Sequence, residues 1–467
     1  MSHLRPNRRR AALAATLALA PAVFAPAGVS AQSLADTFVT AYRNSPDIAA
    51  ARADLRIQGE QAVQAQAGLR PTVTGTVSLE AQFDNFNDVV LPSTLAINLT
   101  QPVYTGGQVA NAVAAEETEI SAQEATLRGL EQDVLLAALT AHAAVLRDIA
   151  FVELGVKNLR VLSEQLRAAR ERFEVGEVTR TDVEQARAAV AASRSSLAAA
   201  RGSLESSRRT YERVVGVPPG DLAPTGTLPD VPPTLEEAFA IALTRQPDLQ
   251  VARLDREAAG FRVRQAIGAL LPQVSLTASL SRNDSLNSTT RTAVQDSEQG
   301  SVGVTVTLPF YSGGANYSEV REQQAVVERE VAQITSTERV VVENVGVAYS
   351  DLRVAKASIE AGLLEVEAAR LAFEGVSEEA KVGARTTLDV LDAEEEVLAA
   401  ESDLVEARRD ETVATYAILA SIGMLTVEHL GLDLDPADKS DYYDSVRKRF
   451  FGYDASEDTV WTTRWRP

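Results

Sequence analysis

Four short segments of the chain alternate apolar and polar residues with period two. In 72–84, Val73, Val77, Leu79, Ala81 and Phe83 alternate with Thr74, Thr76, Ser78, Glu80 and Gln82, and in 94–104, Leu95, Ile97, Leu99 and Val103 alternate with Thr94, Asn98 and Thr100. Segments 273–282 and 301–311 repeat the pattern, with Val274, Leu276, Ala278 and Leu280, then Val302, Val304, Val306, Leu308 and Phe310, on the apolar side. Each has about the ten residues of a tilted strand crossing an outer membrane, one face toward lipid and one toward a wet lumen. A soluble half-buried sheet would alternate in the same way. Four such segments at matched positions favour the membrane. The stretches between them, 85–93 and 283–300, are rich in Asn, Asp and Ser and predict exposed turns. Four strands cannot close a barrel, since the smallest single-chain barrels have about eight. Open edges in lipid are intolerable, so several chains must each contribute their strands.

A different period follows each strand pair. No proline interrupts the chain between Pro102 and Pro218, or between Pro309 and Pro436, and strong helix formers fill both stretches. Helical hairpins are predicted over about 108–214 and 315–421. A helix from Gln108 to Phe173 would be roughly 100 Å long. Val175-Gly176 and Val382-Gly383 break the pattern at the hairpin tips, and Thr179 with Asp182, like Thr386 with Asp389, restarts it at capping-box spacing. Val183, Val190, Leu197, Leu204 and Tyr211 then recur every seven residues, as do Val390, Val397, Leu404 and Ile418, and a parallel row holds Ala393, Ala400, Ala407 and Ala414. Sustained seven-residue spacing implies left-handed supercoiling. Gly155 and Gly362, at equivalent places in the long helices, imply close packing or a bend.

These elements are written twice. Leu34 answers Leu235 and Pro71 answers Pro272 at an offset of 201, while Tyr104-Thr105-Gly106-Gly107 answers Tyr311-Ser312-Gly313-Gly314 and Gly216 answers Gly423 at 207. The predicted organisation is a cleaved leader over 1–31, a first repeat over 32–217, a linker over 218–233, a second repeat over 234–425 and a tail over 426–467. The tail, which holds Tyr442, Tyr443, Phe450, Phe451, Trp461 and Trp465, is expected either to pack around the waist of the tube or to hang loose.

The leader has Arg5, Arg8, Arg9 and Arg10 ahead of an apolar run broken by Pro21 and Pro26, then Val29-Ser30-Ala31, the pattern of a Sec signal cleaved before Gln32. Beyond it, no apolar run suggests a spanning helix. The chain has no cysteine and a formal net charge of −20, which exclude disulfides and disfavour nucleic acid. Outside the leader the histidines are His142 and His429, and no phosphate-loop, zinc-helix or nucleophile-elbow motif occurs. An enzyme is not expected, nor is a cofactor or metal. Gly106-Gly107 and Gly313-Gly314 are read as turns at strand exits rather than anion sites.

The duplicated chain, the Tyr-x-Gly-Gly turns and above all the block Val382-Gly383-Ala384-Arg385-Thr386-Thr387-Leu388-Asp389-Val390-Leu391-Asp392-Ala393 resemble the TolC-type outer-membrane efflux family over residues 33–425. The resemblance implies a mainly α fold with membrane β: a homotrimer whose 12-stranded outer-membrane barrel continues into a 12-helix periplasmic barrel, four strands and two hairpins coming from each chain. It also implies an outer-membrane exit duct of an efflux or type I secretion system, contacting outer-membrane lipid, a periplasmic adaptor and an ABC- or RND-type inner-membrane pump. The tips would form a gate, with Arg385 reaching Thr181 and Asp182 on the first hairpin and Asp389 and Asp392 forming acidic rings. One position departs from the family: a tyrosine expected three residues before Gly383 is Ala380.

Each gate residue has a structural competitor. Asp182 and Asp389 also serve as helix caps. Asp392 is more informative, because its first-repeat counterpart is Gln185, so the shared fold does not demand a carboxylate there. The competing function, a secreted coiled-coil scaffold, explains the heptads but not the strands. Cargo and pump are not legible.

Overall fold

The computed structural model describes residues 31–84, 88–285, 297–434 and 441–452. The leader at 1–30, the loop stretches 85–87 and 286–296, and Trp461 and Trp465 lie outside the described residues. The first repeat comprises α1 (Leu34–Asn44), α2 (Pro46–Ala67), β1 (Thr72–Leu79), β2 (Gln82–Asp84), β3 (Asp88–Val90), β4 (Pro92–Tyr104), α3 (Gln108–Glu174) and α4 (Arg180–Val215). The second comprises α5 (Leu235–Arg245), α6 (Pro247–Gly268), β5 (Gln273–Ser285), β6 (Ser297–Thr307), α7 (Ala315–Lys381) and α8 (Thr387–Ser421), followed by α9 (Asp441–Val446) in the tail.

The antiparallel sheet runs β1-β4-β5-β6, and the β4–β5 pairing, with Leu99 opposite Ala278, joins the two repeats. Both outer strands keep an open edge within one chain. Their apolar side chains are bare: Val77 is 80% and Val302 78% exposed. Several strand ends differ from the expectation: β5 runs on to Ser285 and β6 already begins at Ser297, so the expected turn over 283–300 is strand at both its ends. β1 stops at Leu79 rather than at residue 84, and β2 and β3 form a separate small ladder. Glu80 donates its amide to the Pro92 carbonyl at 3.0 Å, but Pro92 has no N–H to return, so the main ladder breaks there. β6 likewise ends at Thr307, two residues before Pro309, leaving Tyr311 in the turn.

Below the sheet, α3 and α7 each run 67 residues, roughly 100 Å at 1.5 Å per residue. The heptad positions Val190, Leu197, Tyr211, Val390, Val397, Leu404 and Ile418 are buried, and so is the whole alanine row from Ala393 to Ala414. Close packing accounts for Gly155, whereas Gly362 has room for a methyl group. A β-carbon on Gly155 would lie 3.2 Å from Leu197 Cδ1, and one on Gly362 would lie 3.6 Å from the equivalent Leu404 Cδ1.

The main core sits at mid-height, where Leu34, Phe38 and Tyr42 of α1 pack with Leu127, Leu135 and Leu139 of α3, Tyr211 of α4, and Leu419, Ile422 and Leu425. His142 is fully buried there, bonded through Nδ1 to Thr37 Oγ1 and through Nε2 to the Ala223 carbonyl, each at 3.0 Å. Burial lowers its pKa, as suits a neutral packing histidine. One sequence expectation needs correction: α3 does contain a stretch long and apolar enough to span a membrane, and half of it is buried in the protein. Its apolarity serves this core. In the tail, α9 lies along α2, with Tyr442 bonded to Glu60 at 2.7 Å and Tyr443 to Glu117 at 2.9 Å.

Candidate functional site

The two hairpin tips are built alike. Gly176 and Gly383 take left-handed backbone (φ 80° and 79°), which closes α3 and α7: the amide of Glu177 bonds the Arg172 carbonyl and that of Ala384 bonds the Glu379 carbonyl, both at 2.9 Å. Val175 and Val382 project from these turns, 70% and 81% exposed. The following helices start with complete capping boxes. Asp182 accepts from the Thr179 amide at 2.7 Å, and Asp389 from the Thr386 amide at 2.9 Å. Hydrogen bonds from the Thr179 side chain and backbone hold the Asp182 carboxyl below its usual range, and those from the Thr386 backbone and side chain do the same for Asp389. Both carboxylates are therefore caps in this chain. Asp392 lies one turn further along α8, is exposed, and makes no cap.

Arg385 does not reach the first hairpin. Its Nε donates to Glu379 Oε2 at 2.9 Å, on its own hairpin, and Thr181 is left exposed. The tie across the tips comes instead from Arg172, which the sequence reading did not single out. Arg172 Nη2 donates to the carbonyls of Ala380 at 2.7 Å and Lys381 at 3.2 Å, while its Nε lies 3.3 Å from Glu177. A cation at the carbonyl end of α7 satisfies orphaned acceptors and opposes the helix dipole. The signal for it was available: Arg172 and Glu379 occupy equivalent positions in the two repeats, and their opposite charges mark where the repeats part.

Apolar contact reinforces this tie. Leu391, between the two candidate ring aspartates, inserts among Leu162, Leu166, Ala169, Ala186 and Val190 of the first hairpin. Higher up, the buried Glu401 carboxylate accepts from Lys157 of α3 at 2.9 Å and from Arg370 Nε of α7 at 2.9 Å. Desolvation would raise its pKa, but the two cations outweigh burial and hold it low. Two turns nearer the tip, Glu394 lines a small cavity of about 180 Å³ with Asn158 and Glu401. Burial pushes Glu394 up to about 7, against the pull of Lys157 and with help from Glu401.

At the other end, Gly106 and Gly107 (φ 65° and 79°) and Gly313 and Gly314 (φ 66° and 87°) make the strand-to-helix turns. The first turn is crowded: a β-carbon on Gly106 would lie 2.3 Å from the Gly268 carbonyl. The second is open: a β-carbon on Gly313 or Gly314 would meet nothing within 4 Å among the described residues beyond its own chain neighbours. Tyr104 is 47% and Tyr311 84% exposed beside these turns.

The family model described as "Outer membrane efflux protein" matches residues 38–217 and 239–424. The chain is 35% identical over 440 residues to the outer membrane efflux protein BepC of Brucella suis biovar 1 (strain 1330), spanning 94% of this chain and 96% of that protein. It is 26% identical over 414 residues to the outer membrane protein TolC of Escherichia coli (strain K12), spanning 86% and 84%. The outer membrane protein VceC of Vibrio cholerae shares its fold with a TM-score of 0.71 at 21% identity, over 84% of this chain and 96% of that one. Long paired hairpins, an open four-stranded sheet and a family match covering both repeats lead to one conclusion: the chain belongs to the outer membrane efflux protein family, placed in the outer membrane with its helices forming a periplasmic tunnel.

Proposed function

We propose that three copies of this chain close a single exit duct, which takes cargo from an inner-membrane pump through a periplasmic adaptor and is gated at the hairpin tips. The observation that carries the assembly is an uncovered edge. Within one chain β4 of the first repeat pairs with β5 of the second, whereas among the described residues the equivalent side of the second repeat, the outer edge of β6 and the outward face of the upper part of α7, is uncovered. Repeating the internal contact sets β6 against β1 and α7 against α2 and α4 of the next copy. Three chains of four strands give the twelve that the family resemblance implies. Native mass measurement in mild detergent is expected to give three chains, and a stable monomer or dimer would overturn the shared barrel.

The gate is proposed to lie at Asp389 and Asp392, which in a trimer become two acidic rings, with Arg385, Thr181 and Asp182 nearby. Like charges around a narrow lumen reinforce one another's attraction for cations. Arg172 joins them as a polar contact that binds the tip of one hairpin to that of the other. In planar bilayers the Asp389→Ala, Asp392→Ala double variant is expected to lose cation preference and cation block; unchanged selectivity would remove both residues from the lumen.

A further inference from the structure

The tail carries a surface that neither the tunnel nor the gate uses. From Tyr442, packed on Gly59 and Glu60, the chain climbs along α2 toward the sheet. It is pinned at the top by Arg70, whose Nη2 donates to the Arg447 carbonyl at 2.7 Å and whose Nη1 donates to the Arg449 carbonyl at 3.1 Å. The same guanidinium lies 4.7 Å from the centroid of the Phe450 ring. Arg70 is two residues before Thr72, where β1 begins, so this junction fixes Arg447 to Phe451 at the base of the barrel. The backbone is held, and the side chains are left outside. Arg447, Lys448 and Arg449 are all exposed, Phe450 is 68% exposed, and Phe451, at 96%, is almost as bare as a side chain can be.

We infer that Arg447 to Phe451 form a membrane-surface anchor that binds the anionic phospholipid headgroups of the leaflet on the helical side of the barrel. Three observations select this occupant. Arg447, Lys448 and Arg449 stand in a row in a chain of net charge −20, so the patch opposes the sign of the whole and matches an anionic surface. Two aromatic rings follow directly, the composition that sits at a headgroup boundary with rings inward and cations at the phosphates. The patch is continuous with the lipid-facing band: β1, β4 and β6 all have their helix-side ends here, and Val73, Val103 and Val306 are each 63–65% exposed while Phe310 is 90% exposed. Asp444 lies 3.2 Å from Arg447 and neutralises part of that one charge. The inference requires the outer-membrane location, not the gate.

The test uses the full chain with Trp461→Phe and Trp465→Phe, which removes both native indoles, and adds Phe451→Trp as the single reporter. The assembled protein is reconstituted in vesicles containing acyl-brominated phosphatidylglycerol or, at equal mole fraction, acyl-brominated phosphatidylcholine. Quenching by the anionic lipid is expected to be at least about twofold stronger, since each basic residue near an anionic surface favours binding about fivefold. The Arg447→Gln, Lys448→Gln, Arg449→Gln triple variant should quench equally with both lipids. No quenching by either lipid would overturn the anchor and place Phe451 against protein, a second copy included. Equal quenching of the unsubstituted basic patch would overturn the headgroup preference. Native mass measurement on the same samples separates these outcomes from failed assembly, and if the triple variant does not assemble, the two-lipid comparison on its parent still decides.

Discussion

α3 and α7 have the same length, the same glycine-capped start and the same tip, yet they live in different surroundings. Between its start and Gln132, α3 buries Ala115, Ile120, Ala122, Ala125, Leu127, Glu131 and Gln132; α7 has no buried residue before Val341. The crowded turn at Gly106 and the open one at Gly313 tell the same story. α3 is wrapped by the second repeat of its own chain, and the corresponding face of α7 is bare, the face that the proposed trimer would cover with the first repeat of another copy. Side-chain chemistry agrees, because Leu364 and Leu371 are 66% and 69% exposed where their first-repeat counterparts are Lys157 and Glu164. Duplication made the two halves alike; which neighbour covers each half made them diverge.

The sharpest way to break this comparison is to charge the bare face. Leu364→Glu with Leu371→Glu should leave the single chain folded, since both side chains face outward, but prevent trimer formation. Burying a leucine is worth about 1.5–3 kcal/mol, so two per contact remove about 3–6 kcal/mol from each of the chain–chain interfaces, before the added cost of burying charge. Native mass and circular dichroism would report it, and a trimer of normal stability would show that α7 meets no second chain. The positive counterpart is a crosslink. Asn98 pairs with Ser279 inside the chain, so the equivalent pair between copies is Thr305 with Ser78. In this cysteine-free chain, Thr305→Cys with Ser78→Cys should oxidise to linked chains, and either substitution alone should not.

A second comparison lies at the level of Glu394 and Glu401, whose first-repeat counterparts are Arg187 and Arg194. Glu401 holds two cations, whereas Glu394 is pushed up to about 7 from an ordinary 4.5. A raised folded-state pKa means that the folded chain keeps a proton the unfolded chain has released. The stability contribution is therefore full below about 4.5 and lost as pH rises through about 7. Glu394→Gln should flatten that window and stabilise the protein by about 1–3 kcal/mol at pH 8, read as a change in thermal midpoint between acid and alkaline buffers. A wild-type pH profile in the variant would mean that Glu394 is solvated in the assembly.

The equivalent glycines offer a smaller effect of opposite sign. Alanine is favoured over glycine by about 1 kcal/mol in a helix interior. At Gly362 the nearest atom leaves ordinary contact distance, so Gly362→Ala should stabilise by up to that amount; at Gly155, Leu197 Cδ1 at 3.2 Å must give way, so Gly155→Ala should gain less or lose. Equal gains at both sites would show that Leu197 moves freely.

The strands, the long helices and the heptad registers were legible because each rests on a local period that the structure keeps. The β1 and β6 ends were misjudged because Pro92 and Pro309 act on the ladder rather than on the alternation. The tail was underdetermined: α9 is held by Glu60 and Glu117 and the residues after it by Arg70, all hundreds of positions away, and no local pattern encodes such contacts. At the tips, sequence supplied the caps and the turn, but not which arginine crosses. Arg385 sits six residues from Glu379 on a sharp turn, and the nearby carboxylate captures it before it can span to the other hairpin.

That last difference sets the final prediction. Arg172 reaches the carbonyl end of α7 across the hairpin boundary, and Arg385 makes an exposed pair within one hairpin. Exposed ion pairs contribute only about 0.2–1 kcal/mol each. A contact within one hairpin adds nothing to the closure between two, whereas one that crosses adds its full value at each of the tips. A cation at a helix C-terminus is worth about 0.3–1 kcal/mol, so over a trimer losing Arg172 removes roughly 1–3 kcal/mol, and 1.4 kcal/mol is a tenfold change in population. Arg172→Ser should therefore raise single-channel conductance or open time more than Arg385→Ser does, in trimers of equal yield. The reverse order would mean that assembly pulls Arg385 away from Glu379 and across to Thr181 and Asp182, with a neighbouring chain reorganising the tip.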